Sequence, residues 1–156
     1  MAAELDPRIV SLFRNLQDTW TMRAFDRMRG YWPKDLAAPM YLPEERKDFI
    51  TTWAEFDAYF KATAAGSRGG GVKIAPQFAM PMGPGLHMVA FALEWNTQLL
   101  ADAKPIGGSV RGVALVEDVG HEVKLKAYIE APLAPILYIR ELYEMVATGR
   151  GYTPLP

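Results

Sequence analysis

Residues Leu86 to Ala131 constrain this chain more than any other stretch. Three apolar runs rich in β-branched and aromatic residues are separated by Lys104-Pro105-Ile106-Gly107-Gly108 and by Glu117-Asp118-Val119-Gly120. Runs of that kind with that punctuation predict an antiparallel meander. Side chains alternate faces along a strand, so in the first run His87, Val89, Phe91, Leu93 and Trp95 share one side. Met88, Ala90, Ala92, Glu94, Asn96 and Gln98 share the other. In the second run Arg111, Val113 and Leu115 fall together, and in the third Val123, Leu125, Ala127 and Ile129 do. Helices are expected on these bulky faces. On this alternation Glu130 points away from them.

Upstream, Leu5, Ile9, Leu12, Phe13, Leu16 and Trp20 recur at helical spacing after an Asp6-Pro7 start. A shorter helix is predicted from Trp20 to Trp32, followed by a proline-rich loop to Pro43. Pro43-Glu44-Glu45 reads as the first turn of a third helix, with Phe49, Trp53, Phe56 and Phe60 as its apolar stripe. Gly66 to Gly71 reads as a flexible connection, since it lacks the Lys-Ser/Thr ending of a phosphate loop. Val72 to Met82 predicts a strand, and residues 135–147 predict a C-terminal helix. Helices that precede an antiparallel sheet give an α+β fold, here one domain over residues 1–156.

Composition narrows the function. A net charge of −1 with interspersed signs argues against a nucleic-acid or anionic-membrane surface. With no cysteine and two histidines, thiolate chemistry and common zinc sites are excluded, and no metal or other cofactor is expected. No apolar run reaches membrane-spanning length and the N-terminus lacks a signal-peptide pattern, so a cytoplasmic location is expected. Four tryptophans and seven tyrosines suit an aromatic pocket or a well-packed core.

The ordered set of features resembles the NTF2-like superfamily, which includes ketosteroid-isomerase and SnoaL-like enzymes. The resemblance rests on Arg23-Ala24-Phe25-Asp26 with the Pro33-Lys34-Asp35 loop and on the helix bearing Phe49, Ile50 and Trp53. It rests also on the strands at 109–113 and 126–132. It implies a curved sheet wrapped around N-terminal helices as a cone, enclosing a pocket, and a homodimer formed through the outer sheet face. It also implies departures from the isomerase. The general-base carboxylate falls at about Met40 or Tyr41, the oxyanion-stabilising acid at about Arg111, and the helix-1 tyrosine near Leu16. The Ile129-Glu130-Ala131-Pro132 strand end and the C-terminal helix look like the cofactor-free lyases that release formaldehyde from lignin-derived diaryl compounds.

The candidate catalytic residues are therefore Tyr41, Lys73, His87 and Arg111. Arg111 stays charged and needs a partner or a use if buried; Glu94 and Glu117 are the structural alternatives. His87 can act as acid or base near neutral pH or be a hydrogen-bonded core residue. Burial would make Lys73 a usable base. Tyr41 can donate a proton or simply pack. Trp53, Tyr59, Gln77, Phe91 and Trp95 are the candidate substrate contacts. The expected function is a cofactor-independent lyase for a hydrophobic aromatic small molecule. The alternatives are a SnoaL-like dehydratase, isomerase or cyclase, and a non-catalytic ligand-binding module.

Overall fold

A computed structural model describes residues 5–98 and 105–132; the expected C-terminal helix lies outside the described residues. Helix α1 (Pro7–Thr21) starts where predicted, because the Asp6 carboxylate accepts the Arg8 amide at 2.8 Å and Pro7 opens the first turn. Ile9, Leu12, Phe13 and Leu16 form its buried stripe. The shorter helix expected from Trp20 to Trp32 is a 3-10 helix, Phe25–Tyr31, which buries Phe25 and Met28.

Strand β1 (Met40–Leu42) leads into a turn rather than a helix. Tyr41 and Ile50 exchange backbone hydrogen bonds of 3.1 and 2.8 Å, so residues 43–49 form a loop held at both ends. Helix α2 (Trp53–Gly66) begins ten residues beyond Pro43. Its signal is a capping box: the Thr52 hydroxyl accepts the Glu55 amide at 3.2 Å, and the Glu55 carboxylate reaches back to the Thr51 amide at 3.4 Å. Phe56 and Phe60 are buried as the spacing predicts, whereas Phe49 is exposed on the loop.

The sheet has the order β1-β5-β4-β3-β2, with β2 (Gly69–Gly83), β3 (Leu86–Gln98), β4 (Ile106–Val119) and β5 (Glu122–Pro132). The four long strands are antiparallel and β1 runs parallel to β5, which makes the curved sheet mixed. The glycines expected to be a loose connection are strand residues, with Gly69, Gly70 and Gly71 opposite Gln98, Thr97 and Asn96. Both helices pack on one face of this sheet. Gln17 ties α1 to β2 by accepting the Ile74 amide at 3.0 Å.

Two departures from simple alternation set which residues face inward. On β4 the buried residues are Val110, Ala114 and Val116, with Gly112 between them opposite Phe91. A side chain at 112 would collide with the Phe91 ring and the Ile129 carbonyl oxygen, so the inner face of β4 is small because β3 supplies the bulk. Arg111, Val113 and Leu115 consequently form the outer set. On β5, Leu125 pairs with Val116 but Ala127 pairs with Leu115, leaving Lys126 as the extra residue of a bulge. The bulge exchanges the faces of everything after it. Val123 and Leu125 point inward before it, and Tyr128 and Glu130 point inward after it. Glu130 therefore faces the interior, contrary to the unbroken alternation.

Candidate functional site

Above the aromatic core, between α2, the 43–49 loop and the adjoining ends of β2, β3 and β5, lies a cavity of about 450 Å³. Trp20, Phe25, Tyr59, Leu93 and Trp95 make its walls predominantly apolar, and Glu44, Glu45, Glu130 and Arg23 supply its charges. Volume and lining are those of a small-molecule site.

Glu130 is the cavity carboxyl that its surroundings perturb most. Its carboxylate accepts the Glu44 amide at 3.1 Å and lies near the Tyr128 hydroxyl, both of which favour the charged form. Burial outweighs them, and with the nearby Glu45 and Glu44 charges it raises the Glu130 pKa to about 7. Although its side chain borders open cavity space, protein surrounds it on the other sides. The Glu44 carboxyl is also raised, chiefly by burial and against the Trp95 indole N–H that faces it. That contact falls short of full hydrogen-bond geometry.

Tyrosines form the floor. Tyr59 donates to Glu45 at 2.8 Å, and burial first, then Glu45, raises its hydroxyl pKa. Behind it Tyr41 stacks on Tyr128 with ring centroids 5.6 Å apart, and Tyr128 stacks on Phe91 at 4.8 Å. Both buried hydroxyls, of Tyr41 and Tyr128, lack a partner of full hydrogen-bond geometry. Burial holds both well above the ordinary phenol pKa, so both stay protonated. They can donate protons in hydrogen bonds but cannot serve as bases.

Of the nine residues expected at the site, Tyr59 and Trp95 line the cavity and Tyr41 lies directly behind it. Phe91 belongs to the core, against Phe13 and Tyr128. Trp53 faces elsewhere, donating to the Leu36 carbonyl at 3.0 Å beneath the Arg29 guanidinium. Lys73 pairs with Glu94 and Arg111 with Ala92 on the outer sheet face, where both are exposed. Gln77 is the exposed extra residue of a β2 bulge between Pro76 and Phe78. His87 does face inward, but eight residues before Trp95 on the same strand, or roughly 26 Å away along an extended chain. It sits beside Asp6 at the other end of the sheet. Lys73, His87 and Arg111 therefore do not converge.

Sequence reasoning missed Glu130, Glu44, Glu45 and Arg23. The two loop glutamates were hidden by a false helix start, although the Thr52-Trp53-Ala54-Glu55 signature marks the true one. Glu130 was hidden by the bulge.

Among solved structures, a candidate scytalone dehydratase from Novosphingobium aromaticivorans superposes with TM-score 0.69 at 8% identity, covering 80% of each chain. A candidate dehydratase of the NTF2-like family from Streptomyces avermitilis gives TM-score 0.69 at 9% identity, over 81% of this chain and 94% of its own. An NTF2-like protein of unknown function from Shewanella oneidensis gives 0.57 at 19% identity, over 80% and 97%. The fold is the NTF2-like cone. No protein-family profile and no curated protein sequence matches the chain. At these identities the likeness extends to the cone alone, and the chemistry has to be argued from its lining. Among the described residues, no three His, Asp or Glu side chains of this NTF2-like cone converge as metal ligands. No helix among them is long and apolar enough to cross a membrane.

Proposed function

We propose that this chain is an enzyme that moves protons on a hydrophobic small molecule, with Glu130 as the acid–base residue. The observation that carries the reading is a carboxyl group held by the Glu44 amide at a largely apolar cavity, where burial raises its pKa to about 7. A general base works best when its pKa lies near the working pH, and a carboxylate needs burial to get there.

The reaction class this suits best is dehydration or isomerisation. For a β-hydroxy carbonyl compound, Glu130 takes the proton from the carbon beside the carbonyl. The electron pair forms the C=C bond as the β C–O bond breaks, and the departing oxygen takes a proton and leaves as water. That proton can be the one Glu130 has just taken, which returns the carboxylate to its starting state. Similarity in fold to candidate dehydratases from Novosphingobium and Streptomyces favours this class. Formaldehyde release from a phenolic diaryl diol is a narrower possibility for the same base: removing the terminal hydroxyl proton from a quinone methide breaks the C–C bond and leaves a stilbene. That version draws its support from the sequence resemblance, and in it Glu130 replaces Lys73, His87 and Arg111.

The test is a panel of β-hydroxy carbonyl and phenolic diaryl compounds, followed by absorbance of the conjugated product and by capture of formaldehyde. Glu130→Gln is expected to lower turnover by about 10²- to 10⁴-fold, the usual worth of a general base, with the fold retained. Lys73→Met and Arg111→Met, on the outer face, are expected to leave it unchanged. Full activity in Glu130→Gln sinks the assignment. A panel that binds without turning over identifies a ligand-binding module instead.

A further inference from the structure

Arg23 is the one cation lining the described cavity, and its surroundings differ from those of the carboxylates there. Its backbone has φ 57°, the only positive value at a non-glycine among the described residues. A left-handed residue is the common ending of a helix, and Arg23 follows the C-cap Met22 of α1. A Schellman pair of hydrogen bonds closes the helix and fixes where the Arg23 side chain leaves it. The Ala24 amide donates to the Thr19 carbonyl at 2.9 Å, and the Arg23 amide to the Trp20 carbonyl at 3.0 Å. One arm of the guanidinium, Nη2, donates to the Ala64 carbonyl near the end of α2 at 2.6 Å. That bond aims the group and, among the described residues, leaves most of its five N–H donors unspent.

The three carboxylates each have a facing protein donor: Glu45 has the Tyr59 hydroxyl, Glu130 the Glu44 amide and Glu44 the Trp95 indole. Arg23 forms no salt bridge among the described residues; its one acceptor is a neutral carbonyl. Three carboxylates in an apolar cavity would by themselves favour an amine. Those carboxylates form no salt bridge among the described residues either, but burial pushes Glu130 and Glu44 toward the neutral form, whereas a guanidinium keeps its charge. A guanidinium presents a planar fork that matches a carboxylate, and a charge-assisted pair is about twice as strong as a neutral hydrogen bond.

We infer that Arg23 is a specificity-determining residue that binds a carboxylate, and that the ligand of the cavity is a hydrophobic carboxylic acid. This rests on the cavity being the site proposed above, with the acid group held at the α1–α2 side and the reacting carbon turned toward Glu130. The apolar walls contributed by Trp20, Phe25 and Trp95 take the hydrophobic body between those two poles.

Calorimetric titration with matched pairs decides it: cinnamate, 2-naphthylacetate and biphenyl-4-carboxylate, each against its neutral amide. Measurements at pH 6 keep Glu130 largely protonated, so its charge does not oppose the acid. In the wild type at least one acid is expected to bind about tenfold or more tightly than its amide, the worth of one charge-assisted hydrogen bond. Arg23→Gly removes the guanidinium and at the same time relieves the left-handed backbone, so folding is retained, as circular dichroism checks. It is expected to abolish the preference while leaving amide affinity unchanged, and Arg23→Lys to keep part of it. Equal binding of acid and amide across all pairs in the wild type, or an undiminished preference in Arg23→Gly, overturns the inference. Glu130→Gln is expected to show the wild-type preference, so failure of the catalytic assignment would not be mistaken for failure of this one.

Discussion

The raised pKa of Glu130 has a thermodynamic counterpart that needs no substrate to observe. Between the ordinary carboxyl value of 4.5 and about 7, the folded protein keeps the Glu130 proton while the unfolded chain has released it. The native state then binds more protons than the unfolded state, so stability falls as pH rises through this window and levels off above it. A difference of 2.5 in pKa (7 − 4.5) is worth about 3 kcal/mol at 1.36 kcal/mol per pKa unit. Glu130→Gln retains shape and an oxygen that can accept the Glu44 amide, but has no charge to bury. The variant is expected to match the wild type near pH 4.5 and to exceed it by roughly 2–3 kcal/mol at pH 8. In thermal melts of a domain this size that is a gain of about 5–10 °C. Urea unfolding of both proteins at intervals from pH 4.5 to pH 8 is the assay, because the difference curve cancels every titrating group that does not interact with Glu130. Parallel curves, or a wild type that outlasts the variant at pH 8, would refute the claim that burial dominates at this carboxyl. The catalytic proposal would lose its physical basis with it.

Two further predictions test the framework that places the site. Gly112→Ala drives a methyl group into the Phe91 ring and the Ile129 carbonyl, and β-sheet backbone leaves it nowhere to go. A loss of about 1–3 kcal/mol or more in chemical denaturation is expected, and a neutral result would mean that β3 and β4 are not in this register. Thr52→Ala removes the side-chain acceptor of the Glu55 amide and should cost about 1 kcal/mol, whereas Glu44→Ala should not touch helix stability. Equal losses from both would restore the helix start at Pro43.

Much of this architecture can be read in the sequence, because periodicity reports burial wherever one element buries one face. α1, the strand runs of the meander and the stripe through Phe56 and Phe60 are of that kind. The misplaced features have different causes. The β4 face was inverted because Val113 and Leu115 are larger than Gly112 and Ala114, yet the smaller pair faces inward opposite Phe91 and Val89. Bulk on one strand is set by its neighbour, and a single strand does not contain that information. The α2 start was displaced because acidic residues after proline satisfy the same dipole argument as a true first turn. Only the hydroxyl at Thr52, three residues before Glu55, separates the two. Arg23 leaves no trace in any periodic pattern, since its role depends on a backbone angle and on where α2 ends.

The extra residue at Lys126 makes the length of β5, and not only its composition, a determinant of what the cavity contains. Closing the bulge by sliding the downstream segment one position along β4 would turn Tyr128 and Glu130 outward and bring Ile129 and Ala131 to the cavity side, whereas deleting Lys126 with the downstream pairing kept would leave both facing inward. Insertions and deletions are usually counted as neutral when they fall in loops and ruinous when they fall in strands. At this bulge an insertion or deletion that shifts the downstream pairing by one residue would instead exchange an acid–base lining for an aliphatic one while leaving the cone standing. An alignment that ignored the bulge would then match Glu130 with residues on the wrong side of another chain's sheet. For cones as diverged as these, inheritance of the site has to be traced by strand register before it can be traced by residue identity.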